Sequence, residues 1–187
     1  MRLLCFTILF SLFSTLSYAD GTRWAVEIDK SRLAFVFMQE GQVATGEFKK
    51  FDAEIRFDAD NLAMSQAIVR VDLNSVSAGN AERDDALTSS DWFHIAKFPE
   101  AVFKSTAFRA LEKGRFEVDA TLTIRGVEQA VTMNFTLKDM GDHVIMSGAV
   151  PLKRLDFGLG EGFWANPDFI GLEVGVEVEL WAQPLPL

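Results

Sequence analysis

Apolar and polar residues alternate along much of the chain from about residue 24 onward. A period of two is typical of β-strands with one buried face. Four stretches show this alternation cleanly, and we predict a strand in each: 51–58, 116–125, 127–138 and 172–180. Five less regular stretches also favour extended structure: 24–29, 33–39, 66–73, 101–108 and 143–152. The pattern therefore predicts a protein built mainly from β-strands.

Turn residues separate these strands, and one segment breaks the pattern. Arg125-Gly126 lies between two clean strands and predicts a tight hairpin. The segment from Asn80 to Pro99 contains helix formers, and Ser89-Ser90-Asp91 could cap a second helical turn before the proline. We predict one or two short helices here, inserted between strands as a lid or plug.

Eight or nine antiparallel strands joined by local turns predict an all-β, up-and-down barrel that carries this helical insert. Two packed sheets would show the same alternation, so a β-sandwich is the alternative fold. No repeat, linker or shift in composition divides the chain after its first 19 residues. We therefore expect one domain over residues 20–187.

The first 19 residues have the layout of a secretory signal peptide. Met1-Arg2 carries positive charge, residues 3–16 are apolar apart from scattered Ser and Thr, and Ser17-Tyr18-Ala19 supplies small residues before the expected cut. The apolar stretch is shorter than the roughly 20 residues that a helix needs to span a bilayer. We expect residues 1–19 to be removed and the remaining domain to be exported to the periplasm.

The composition narrows the classes of function. The chain has 187 residues and a net charge of -9; loss of residues 1–19 removes Arg2 and no acid, which makes the charge -10. Such acidity argues against nucleic acid and against anionic lipid head groups as partners, because both need a basic surface. The single Cys lies within the expected signal peptide, so the domain has no thiol chemistry or disulfide.

Few residues offer catalytic or metal chemistry. His94 and His143 are the only histidines, and two histidines without cysteine make a poor zinc site. Gly158, Gly160 and Gly162 do not have phosphate-loop spacing, and no long helix follows them. We predict no catalytic residue, no metal site and no cofactor.

The aromatic content points to the barrel interior. Removal of the signal peptide leaves 14 Phe and four Trp in a domain without Tyr. A barrel of about eight strands either fills its interior with side chains or holds one small ligand. Periodicity does not distinguish these two cases, so both a filled and a hollow barrel are open at this point.

The motifs and their order resemble the YceI-like family, exported lipocalin-like proteins often described as polyisoprenoid-binding. The resemblance covers about residues 24–182. It is carried by the following motifs: Ile28-Asp-Lys-Ser31, Thr45-Gly-Glu-Phe48, Ile55-Arg-Phe-Asp58, Val71-Asp-Leu-Asn-Ser-Val76, Glu82-Arg-Asp84, Ser90-Asp-Trp-Phe93, Phe98-Pro-Glu-Ala-Val-Phe103, Leu122-Thr-Ile-Arg-Gly-Val127 and Leu155-Asp-Phe-Gly158.

The resemblance implies an extended eight-stranded antiparallel, lipocalin-like barrel around an apolar tunnel. It implies a ligand such as an isoprenoid chain, an isoprenoid quinone or a similar amphiphile, held by a periplasmic carrier or scavenger without catalysis. This chain departs from many relatives at two places where they carry histidine, namely Gln39-Glu40-Gly41 and Asp85-Ala86. Polar contacts made by those imidazoles are therefore not carried over.

We place the ligand tail against residues of the strands and the insert that should enclose the tunnel. They are Phe35, Phe37, Phe48, Phe57, Val71, Leu87, Trp92 and Phe93. Arg83 is the candidate for the polar head group, or else forms an ion pair with Asp84 or another acid.

Two other functions stay open. A filled barrel would suit an accessory or interaction module of an envelope redox or stress system. An enzyme acting on a lipid or quinone would need His94 to face a pocket beside a carboxylate. The oligomeric state is also open, and a homodimer is one alternative.

Overall fold

The computed structural model describes residues 22–186, which form eleven strands and one α-helix within that range. The helix, α1, is Ala81–Thr88. The strands are β1 Arg23–Val26, β2 Arg32–Gln39, β3 Gln42–Phe48, β4 Phe51–Arg56, β5 Gln66–Asp72, β6 Val76–Ser77, β7 Glu100–Ala110, β8 Arg115–Ile124, β9 Val127–Asp139, β10 Val144–Lys153 and β11 Ile170–Pro184.

The strands form a closed antiparallel barrel. Hydrogen bonding runs in the order β1-β4-β5-β7-β8-β9-β10-β11, and β1 also pairs with β11, which closes the circuit. Three long strands are each interrupted by a short break, which divides them into the pairs β1/β2, β3/β4 and β5/β6. Beyond these breaks, β2 pairs with β3, and β3 pairs with β6. The result is an eight-stranded barrel with one helix, so the barrel prediction is confirmed and the sandwich alternative is wrong.

All nine predicted strands occur, but sequence analysis missed β3 and β6. β3 reads Gln-Val-Ala-Thr-Gly-Glu-Phe, where small residues obscure the alternation, and β6 has only two residues. The predicted hairpin at Arg125-Gly126 is present, and both residues have positive φ, of 53° and 74°. Two such residues match the twist of paired strands in a tight turn.

The insert contains one α-helix and then turns. The Asn80 side chain caps α1 by accepting a hydrogen bond of 2.8 Å from the backbone N–H of Arg83. After Thr88 the chain makes irregular turns, stabilised by bonds such as His94 N–H to the Ser89 carbonyl at 2.8 Å. The second predicted helix is therefore absent from the described residues.

Two predictions concern the N-terminal segment and membrane spans. The predicted signal peptide, 1–19, lies outside the described residues. Within residues 22–186, no helix is long and apolar enough to cross a bilayer.

Candidate functional site

The barrel encloses a cavity of about 580 Å³. Its wall consists of the inward-facing alternate residues of the strands, because successive side chains of a strand point to opposite faces. The volume lies within the roughly 300–1,000 Å³ that is common for small-molecule sites. The interior is therefore hollow, contrary to the filled-barrel alternative.

Aromatic rings pack against one another at one end of the barrel, which we call the aromatic end and define by Phe57, Phe108, Phe116 and Phe135. The Phe57 ring meets the other three edge-on, with ring centres 5.3 to 5.8 Å apart. The indole N–H of Trp24 donates to the Phe57 carbonyl at 3.0 Å and fixes the strand end beneath these rings. This end of the cavity wall is entirely apolar.

The opposite end, the helical end, is formed by α1, the β2–β3 turn and the connection between β10 and β11. Phe35 stacks on Phe37 at 5.9 Å and contacts Phe48 at 5.4 Å. Gly46 lies opposite Phe35 in the β2–β3 pairing, and a Cβ there would overlap the Phe35 ring. The glycine thus makes room for an aromatic wall.

All nine predicted ligand residues lie on the cavity wall: Phe35, Phe37, Phe48, Phe57, Val71, Arg83, Leu87, Trp92 and Phe93. They come from three strands, from the position directly after β4, from α1 and from the turns that follow it. Contact with a ligand stays a prediction, because wall position alone does not establish it.

Polar groups on the wall concentrate at the helical end, where Gln39, Asn80, Glu82 and Arg83 contribute. The Gln39 Oε1 atom is buried and has no hydrogen-bond partner. Arg83 donates to the Ala78 carbonyl at 3.2 Å, and no carboxylate lies within ion-pair distance of it in the described part of the chain. The ion pair, which was the alternative role for Arg83, is therefore not found among the described residues. A buried polar atom without a partner is costly, so the Gln39 amide oxygen is a candidate ligand contact.

Sequence analysis missed Arg154, which is only 2% exposed and lines the helical end. Its five N–H groups donate to backbone carbonyls of the β10–β11 connection and the start of β11: Gly171 at 2.9 Å, Leu159 at 2.8 Å, Gly160 at 2.7 Å, Trp164 at 2.5 Å and Ile170 at 2.9 Å. The guanidinium also lies 5.4 Å from the Trp92 ring. Burial lowers the pKa of Arg154 below its ordinary value, although arginine still keeps its proton.

Arg154 explains the glycine-rich stretch that follows it. Gly160 has a φ of 67°, and a Cβ there would lie 2.8 Å from both Arg154 Nη1 and the Trp92 ring. Trp164, which lines the cavity, sits 6.2 Å from Trp92. The stretch is thus a fixed wall segment, held by Arg154. In the sequence, an Arg at a strand end followed by three closely spaced glycines does not distinguish this buried arginine from a solvent-exposed one.

Neither histidine lies on the cavity wall. His94 has a φ of 51°, and its ring contacts Phe98 at 5.9 Å. His143 stacks on Trp181 at 4.5 Å, and its Nδ1 lies 2.6 Å from Asp142 Oδ1. The geometry that the enzyme hypothesis requires of His94 is not found in residues 22–186. The same residues contain no cluster of three or more potential metal ligands.

The fold and the cavity define a hollow antiparallel barrel with an apolar interior and one polar end. The model of the YceI-like domain matches residues 24–182. The chain belongs to this family, as the motifs indicated.

Relatives support the assignment in sequence and in structure. The chain is 35% identical over 148 residues to Protein YceI of Salmonella newport, covering 75% of this chain and 74% of that protein. The crystal structure of Burkholderia cenocepacia BcnA is 30% identical, with a TM-score of 0.82 over 85% of this chain and all of BcnA. A polyisoprenoid binding domain from Saccharophagus degradans, implicated in plant cell wall breakdown, matches in fold with a TM-score of 0.69 at 18% identity, over 88% of this chain and all of that domain.

Proposed function

We propose that the protein is an exported lipid-binding protein that holds an isoprenoid chain, an isoprenoid quinone or a similar amphiphile, as a carrier or scavenger without catalysis. The observation that carries this proposal is the apolar cavity of about 580 Å³ inside the barrel. A buried methylene group gains roughly 0.8 kcal/mol, so a long aliphatic tail offsets the cost of ordering it.

The polarity of the wall gives the ligand a direction. The tail packs toward the aromatic end, where the wall carries no polar side chain. The head group lies at the helical end near Gln39 and Arg83, where a buried amide oxygen lacks a partner. The polyisoprenoid binding described for the Saccharophagus degradans domain agrees with such a tail.

Native mass spectrometry and solvent extraction of the purified protein test this function. We expect a lipid-like molecule to copurify at one molecule per chain. Val176→Trp should lower its occupancy, because Val176 faces the cavity. The adjacent Glu177→Trp is the matched control, since Glu177 faces outward and pairs with Arg32 at 3.5 Å.

An empty wild-type protein that also fails to bind added isoprenoid quinone would contradict the proposal. Equal occupancy in the Val176 and Glu177 variants would place the ligand outside the barrel, which also contradicts it.

Export is a separate part of the proposal. The N-terminal layout supports cleavage after Ala19 and a periplasmic location. Fractionation of a bacterial host expressing the full chain should recover the protein in the periplasm, beginning at Asp20. Ala19→Arg should block cleavage. Recovery of an uncleaved wild-type chain in the cytoplasm would contradict export.

A further inference from the structure

Apolar side chains cluster on the outside of the helical end. Val43 and Phe163 are each 69% exposed, and Met38 is 41% exposed. Met38 and Val43 face each other across β2 and β3, and Phe163 stacks on Phe169 with ring centres 5.0 Å apart. We call Met38, Val43, Phe163 and Phe169 the outer apolar patch. Single exposed apolar residues are ordinary, but a cluster of them indicates an interaction surface.

The two halves of the outer apolar patch lie on adjoining chain segments, and both segments border the cavity. The N–H of Glu40 donates to the Phe169 carbonyl at 2.9 Å, which joins the two halves of the patch. Phe163 contacts Trp164 at 5.2 Å, and Trp164 lines the cavity. Gln39, which directly follows Met38, also faces the cavity. The same two chain segments therefore form the cavity wall on one side and the patch on the other.

The charge around the patch restricts what can cover it. No Lys or Arg occurs in residues 33–48 or 155–181, and the exposed charges beside the patch are acidic: Glu40, Glu161 and Asp168. Arg125 also reaches this region, where its guanidinium donates to the Gly158 carbonyl. Carboxylates repel anionic lipid heads but complement the ammonium groups of zwitterionic heads. Exposed Phe, Val and Met side chains can bury their apolar surface at the boundary between lipid head groups and acyl chains.

We propose that the outer apolar patch docks the protein onto a zwitterionic phospholipid surface, such as one rich in phosphatidylethanolamine. Docking would bring the polar end of the cavity to the bilayer, where an amphiphile could pass between membrane and barrel. The surface itself follows from exposure and charge, and its use in ligand exchange rests on the proposed function.

Vesicle flotation tests the docking. The purified protein is mixed with vesicles of phosphatidylethanolamine and phosphatidylcholine, and the bound fraction is measured. We expect wild type to bind and the double variant Val43→Ser/Phe163→Ser to bind roughly tenfold or more weakly, because two large apolar groups leave the interface. Leu111→Ser is the matched control, since Leu111 is 39% exposed near the opposite end of the barrel. All proteins share one N-terminus, so the difference isolates the patch.

Replacing half of the lipid with phosphatidylglycerol should weaken binding at low salt, and added salt should restore it. Three results would overturn the proposal: no binding to neutral vesicles, equal binding by the double variant, or a dimer in solution that the double variant dissociates while vesicles bind neither protein. Because vesicle binding needs no cavity ligand, a wild-type protein that holds its ligand but does not bind vesicles would refute the docking alone.

Discussion

The two ends of the barrel are built from the same strands, but one end is lined by aromatic rings and the other by polar groups. At the aromatic end, Phe57, Phe108, Phe116 and Phe135 pack on one another. At the helical end, a buried cation and several polar side chains line the wall. The difference gives the cavity a polar and an apolar end, which suits a ligand with a head and a tail.

The burial and the bonding partners of arginine also differ between the two ends. Arg154, at the helical end, is buried and bonded to five carbonyls rather than to a carboxylate. Arg109, on the outer wall toward the aromatic end, is half exposed and pairs with Glu117 and Asp119, each at 2.6 Å. Only Arg154 holds a segment of the cavity wall, so the energetic consequences of losing each arginine should differ widely.

The largest effect is expected for Arg154→Met. Removing the guanidinium leaves five carbonyls of the β10–β11 connection without their donor, and breaking a buried charged network typically costs about 3–5 kcal/mol. Urea unfolding should show this loss, whereas Arg109→Met should change the free energy of unfolding little, because exposed ion pairs contribute little. Equal losses in the two variants would contradict the assignment of Arg154 as the residue that holds the wall.

A pair of glycine variants separates backbone strain from packing at the helical end. Gly160 and Gly162 both have positive φ, of 67° and 61°, but only Gly160 has atoms close to a built Cβ. Gly162→Ala should cost about 1–2 kcal/mol from the left-handed backbone alone. Gly160→Ala should cost about 1–3 kcal/mol more, because its Cβ meets Trp92 and Arg154. Thermal unfolding measures both, and equal shifts would refute the packing contact.

A smaller effect, on the affinity for the ligand, is expected from a substitution in the wall near Phe35. Gly46→Ala should push the Phe35 ring from its place and weaken binding of an isoprenoid quinone several-fold. Gly175→Ala is the matched control, because its nearest neighbour is 4.0 Å from a built Cβ. Titration by tryptophan quenching compares the two. Unchanged affinity in the Gly46 variant would show that the ligand does not contact this wall.

The smallest expected effect is on the stability of the fold at acidic pH. Hydrogen bonds from Arg109 and from Thr132 lower the pKa of Asp119 from 3.8 to about 2. A lowered pKa means that the carboxylate stabilises the fold above about pH 4 and that this contribution is lost as the pH falls toward about 2. The difference in stability between wild type and Asp119→Asn should therefore shrink across that window. An Asp119 carboxyl that titrates near pH 4 by NMR would contradict the contact.

Much of the fold follows from the sequence because alternation directly reports which residues face inward. Phe57 and Phe35 could be assigned to the wall in this way. β3 was missed because Gly46, which has no side chain, interrupts the alternation of apolar and polar residues in that strand. Arg154 could not be found, because after Lys153 it has the appearance of a solvent-exposed charge at a strand end. Its burial depends on a connection that folds back over it, which no local pattern encodes.

The orientation of the ligand can be measured with single-tryptophan variants. Trp164 lines the helical end, Trp24 lies near the aromatic end, and Trp181 stacks outside the cavity on His143. Proteins that keep one of these three, with the other two and Trp92 changed to Phe, are titrated with a long-chain isoprenoid quinone. We predict strong quenching of Trp164 by the quinone head, weaker quenching of Trp24 and least of Trp181. Equal quenching of all three, or none, would contradict a ligand held in the cavity with its head at the helical end.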